Sequence, residues 1–121
     1  MNYQKFRKAL AKSWAHDTAY YKDAPNWTPT NPSLGQCAIT ALLFNEFFGG
    51  TIHSGVSDSG IMHFWNKKYG LKIDLTKQQF PQKIKFSNIN RWNREELLQT
   101  GDVAARYEQL KKRVLTVYEE I

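Results

Sequence analysis

The sequence predicts an α+β fold: a central helix starting at Cys37, packed on a small antiparallel sheet of about four strands, with a helix at each end. Three observations carry this. The run Cys37–Phe48 is apolar on nearly every side, interrupted mainly by Thr40, Asn45 and Glu46, which is the pattern of a helix at the centre of a domain. Short segments of strand character follow it, and both ends of the chain show helical periodicity. With 121 residues the chain is one domain, 1–121, long enough to bury a single core.

Taken in order, Tyr3, Phe6, Leu10 and Trp14 recur at helical spacing, so residues 3–15 read as an amphipathic helix with its lysines outward. Residues 23–34 hold three of the four prolines and read as a stiff, irregular loop that delivers the chain to Cys37. The central helix stops at Gly49-Gly50. Strands are expected at Thr51–Val56, Ile61–Lys67, Leu71–Thr76 and Lys83–Ser87. Val103, Tyr107, Leu110, Val114, Val117 and Ile121 then form one apolar seam on a C-terminal helix, with Asp102 in the cap position.

The formal charge of +6 raises the question of an anionic partner, but residues 1–24, 25–90 and 91–121 contribute +3, +3 and 0, so no basic stripe tracks a phosphate backbone. No specific nucleic-acid partner is expected. The first residues lack an apolar signal core, and the longest apolar stretch, Cys37 to Phe44, is far short of a membrane span, so a soluble, cytoplasmic protein without a membrane partner is expected. One cysteine excludes an internal disulfide and any metal site built from several thiolates. No two histidines stand at i, i+4, and neither a metal nor another cofactor is called for.

Cys37, His63 and Asp74 are the residues that suggest chemistry. A thiol nucleophile needs a base, and the base needs a carboxylate to orient it. In the first turn of a helix, unpaired backbone N–H groups and the positive end of the dipole favour a thiolate and offer donors to an oxyanion. If residues 67–70 form a four-residue hairpin loop, Asn66 pairs with Leu71 and His63 lies directly opposite Asp74; a two-residue loop leaves them diagonal neighbours on the same face. A lone cysteine is otherwise a small core residue, His63 a half-buried ring beside Trp65, and Asp74 a cap for the turn at Lys77–Gln79. His16 and His53 read as structural. Gln36, Trp27, Trp65 and Asn66 are candidates for contacts to substrate or oxyanion.

Gly35-Gln36-Cys37 opening a buried helix, then a histidine and an aspartate on successive strands, resembles the transglutaminase-like division of the papain-like cysteine enzymes, whose chain order is Cys, His, Asp. More narrowly, Gly35-Gln36-Cys37-Ala38-Ile39-Thr40-Ala41-Leu42, Gly49-Gly50, His63-Phe64-Trp65-Asn66 and Asp74-Leu75-Thr76 resemble the small bacterial YunG-like family, over roughly residues 13–80. The wider resemblance implies a papain-like core with Cys37 as nucleophile, His63 as general base and then acid, and Asp74 as orienting carboxylate. Two departures stand out: the 26 residues from Cys37 to His63 are few for that division, and Ala38 replaces the tryptophan that follows the transglutaminase cysteine. The activity implied is acyl transfer on a small amide, ester or peptide substrate. The alternatives are a catalytically silent peptide- or protein-binding module on the same fold and, third, a weak basic nucleic-acid-binding domain.

Overall fold

A computed structural model describes residues 1–80 and 82–121. Four α-helices and a four-stranded antiparallel sheet make the α+β architecture: α1 (Tyr3–Ser13), α2 (Cys37–Phe48), β1 (Thr51–Ser57), β2 (Met62–Lys68), β3 (Leu71–Ile73), β4 (Phe86–Trp92), α3 (Arg94–Leu98) and α4 (Val103–Glu120). The sheet order is β3-β2-β1-β4. No described helix is long and apolar enough to cross a membrane.

Helix α2 is the hub. Residues 38–44 are all buried, and the helix lies against both β2 and α4, which requires apolar side chains around most of its circumference. Phe6, Leu10, Ile39, Leu42, Leu43, Ile52, Leu97, Tyr107, Leu110 and Val114 form one continuous core from the helices and the inner sheet face. Polar ties fix α2 within it: Trp14 Nε1 donates to Thr40 Oγ1 at 3.0 Å, and Asn66 Nδ2 on β2 donates to the Ala41 carbonyl at 3.0 Å.

Several elements differ from expectation. The hairpin between β2 and β3 is a two-residue turn, pairing Asn66 with Ile73 and Lys68 with Leu71. Tyr69 and Gly70 both take positive φ, 52° and 76°, as a primed turn demands, so of the two loop lengths open to the sequence the chain takes the two-residue one, not the four-residue loop at 67–70. Strand β3 ends at Ile73 because Asp74 turns back on the chain, its Oδ1 accepting the Thr76 N–H at 3.2 Å. The fourth strand is Phe86–Trp92, not Lys83–Ser87; it is an edge strand with Ser87–Arg91 exposed, so no apolar alternation marks it. Asp102 makes no side-chain cap bond and instead pairs with Arg106, its Oδ1 accepting from Nε at 3.0 Å. Helix α3 was not expected; Asn93 caps it by accepting the Glu95 N–H at 2.8 Å, with Glu95 and Glu96 in the first turn.

Candidate active site

Cys37 is the first residue of α2 and half-buried. Gly35, two residues earlier, sets its approach: φ is +76°, its carbonyl accepts the Tyr20 N–H at 2.9 Å, and a Cβ there would stand 2.9 Å from Tyr20 N and 3.0 Å from Asp23 Cβ. Only glycine meets both the conformation and the space.

His63 sits on β2, fully buried, with the Phe86 ring stacked on it at 5.4 Å and the Phe80 ring edge-on at 4.9 Å. Its Nε2 lies 2.7 Å from Asp74 Oδ2. Burial opposes a charge on the imidazole, yet the hydrogen bond to Asp74 and the nearby Cys37, with the charges of both, outweigh it and push the His63 pKa up to about 9. Asp74 is shared: Oδ2 holds the imidazole while Oδ1 accepts from the Thr76 backbone. One oxygen of Asp74 thus meets the imidazole and the other the backbone of Thr76, just ahead of the turn at Lys77–Gln79.

The structure brings Cys37, His63 and Asp74 together. It adds Gln79, which the sequence reading passed over as a turn residue. Gln79 Nε2 is 2.9 Å from His63 Nδ1, and its Oε1 faces the Gly35 N–H at 3.5 Å. With Nε2–H of the ring donated to Asp74, Nδ1 is an acceptor and takes the Gln79 amide proton. Once the ring is protonated both nitrogens are donors, so Gln79 has to present Oε1 instead. The signal available was position: Gln79 closes the turn that follows the Asx bend at Asp74, and that bend aims the turn back at His63.

A cleft of about 770 Å³ opens at Cys37. Ala38, Phe64, Trp92, Leu97 and Val103 give it an apolar floor, while Tyr20, Asp23, Gln79, Asp102 and Arg106 add polar groups. None of the four other site candidates lines it. Trp27 donates its indole N–H to the Pro32 carbonyl at 2.8 Å, inside its own loop. Gln36 is fully buried, with Nε2 given to the Ala15 carbonyl at 3.0 Å and Oε1 without a partner; an oxygen cannot donate to an oxyanion. Trp65 is buried beside His63 with Lys72 Nζ 4.2 Å from its ring centroid, and Asn66 ties the sheet to α2. His53 pairs with Thr51 Oγ1 at 2.7 Å, its pKa lowered by burial and by Lys67 and Arg91; His16 lies in a short 3₁₀ turn, and neither lines the cleft.

A family profile described as "YunG protein" matches residues 2–119. The chain belongs to the YunG family. It is 33% identical over 103 residues to "Uncharacterized protein YunG" of Bacillus subtilis (strain 168), covering 85% of this chain and 83% of that one. No solved structure matches it. Among the described residues no group of three or more His, Cys, Asp or Glu side chains is arranged to hold a metal ion.

Proposed function

We propose that this YunG-family protein is a thiol-dependent acyl-transfer enzyme, with Cys37 as nucleophile, His63 as general base and then acid, and Asp74 as orienting carboxylate, on a domain of the transglutaminase-like, papain-like kind. The observation that carries the reading is the buried His63 imidazole, bonded to Asp74 through Nε2, with Cys37, which opens onto the cleft, close enough to raise its pKa. A purely structural histidine has no need of a thiol at the mouth of a helix and a cavity beside it.

The chemistry follows from the parts. The imidazolium–thiolate pair attacks the carbonyl carbon of an amide or ester, and the oxyanion meets the free backbone N–H groups at the start of α2. As the tetrahedral adduct collapses, His63 gives its proton to the leaving group and a thioester remains on Cys37; water or an amine, deprotonated by His63, releases it.

Incubation with p-nitrophenyl acetate tests this. A rapid burst of p-nitrophenol and an acetyl adduct mapped to Cys37 by mass spectrometry are expected, with both lost in Cys37→Ser and the burst slowed at least ~100-fold in His63→Ala. Acetylation no faster in wild type than in His63→Ala would instead favour a catalytically silent binding module.

A further inference from the structure

Arg106, on α4, is 7% exposed, yet it lines the cleft that Cys37 opens into. Its Nε donates to Asp102 Oδ1 at 3.0 Å, and Nη1 donates to the carbonyls of Thr18 at 3.0 Å and Gly35 at 3.4 Å. Nη2 has no partner among the described residues. It is not sealed away either, since the buried side-chain atoms left without partners there are Gln36 Oε1 and Trp65 Nε1. A guanidinium clamped on three sides, with its remaining N–H pair open to a cleft, is a preorganised donor to an oxygen anion.

We propose that Arg106 recognises a free carboxylate on the substrate, so that the Cys37 site acts on the last amide bond of a short peptide or N-acyl amino acid. This rests on the acyl-transfer reading above. Arg106 and Cys37 line the same cleft, and Arg106 is bonded to the carbonyl of Gly35, two residues before the nucleophile, so one short substrate in that cleft can meet both. Charge favours a monoanion. Asp102 sits on the guanidinium, Asp23 lines the same cleft, and Lys22 is the other cation along it, so a phosphate dianion would face two carboxylates. The apolar floor at Phe64, Leu97 and Val103 suits a hydrophobic side chain.

The step balances. The Cys37 sulfur bonds to the amide carbonyl carbon, the C–N bond breaks, and His63 protonates the departing nitrogen. The free amino acid leaves with its carboxylate still on Arg106, and water then splits the thioester to an acid and the regenerated thiolate–imidazolium pair. Asp23, a carboxylate that burial pushes up in pKa against the pull of Arg106, lines the same cleft.

The test uses two alkylating probes of equal shape, N-chloroacetyl-leucine and N-chloroacetyl-leucinamide, with Cys37 modification followed by mass spectrometry. The acid should react about tenfold faster than the amide in wild type, the scale of one charge-assisted hydrogen bond, and less than about threefold faster in Arg106→Gln. Because Arg106 also ties α4 to two carbonyls, Asp102→Asn serves as a second variant: freeing the guanidinium of its carboxylate should widen the preference for the acid. Equal rates for the two probes in wild type, or an unchanged preference in both variants, would overturn the assignment of Arg106 while leaving a reactive Cys37 standing. Rates no faster than a free thiol for both probes would overturn the acyl-transfer reading and this proposal with it.

Discussion

His63 Nε2 and Asp74 Oδ2 stand 2.7 Å apart although the two residues are not cross-strand partners. The two-residue turn at Tyr69-Gly70 leaves Asp74 one step beyond the end of β3, diagonal to His63, where its carboxylate can bend inward and still accept the Thr76 N–H. That bend is what makes a short hairpin sufficient to orient an imidazole.

Asp74→Asn should therefore keep the fold and cost the chemistry. Asparagine retains an Oδ1 for the Thr76 N–H but presents N–H groups to Nε2, which selects the wrong ring tautomer and cannot stabilise the imidazolium. Thioester formation should fall at least ~100-fold with an unchanged far-ultraviolet dichroism spectrum. A variant that unfolds would make Asp74 chiefly a turn residue.

The raised His63 pKa gives a signed dependence of stability on pH. The folded value, about 9, lies above the ordinary 6.5, so the contribution is fully present below about pH 6.5 and is lost as pH rises through 9. Urea titrations should show wild type losing up to about 3 kcal/mol between pH 6 and pH 10 relative to Asp74→Asn. Parallel profiles for the two proteins would contradict the raised value.

Gln79→Glu places a carboxylate against Nδ1. An anion there stabilises the imidazolium, so the alkaline limb of the pH–rate profile should move up by about one unit. A limb that stays in place would show that Gln79 packs beside the ring without acting on it.

Leu110 is fully buried on the α4 seam and lines no part of the cleft. Leu110→Ala should cost about 2–5 kcal/mol in urea unfolding while the alkylation rate of Cys37 in the folded protein stays the same. A reactivity change without a stability change would tie α4 to the site through more than its Arg106 face.

Elements with strong period or punctuation are legible in the sequence. The central helix is bounded at Cys37 and Phe48 as expected because its apolar run ends abruptly in two glycines, and the α4 seam is buried at Val103, Tyr107, Leu110 and Val114. Elements governed by edge position or by side-chain bends were not. Strand β4 carries no alternating pattern because its middle residues face solvent, and β3 stops early because of a hydrogen bond that composition does not reveal. At the site, order and register were enough to bring Cys37, His63 and Asp74 forward. Gln79 and Arg106 were not legible, since each reaches the cleft through a turn or helix placed by tertiary packing, and an isolated Gln or Arg carries no periodic signal.

Alkylation of Cys37 by iodoacetamide at pH 6 tests the central claim most directly. At that pH a free thiol, with a pKa near ~8.5, is almost wholly protonated and reacts slowly. Wild type should react at least about tenfold faster than a free-thiol peptide, and His63→Ala should fall to the peptide's rate. Equal rates for wild type and His63→Ala would contradict the account.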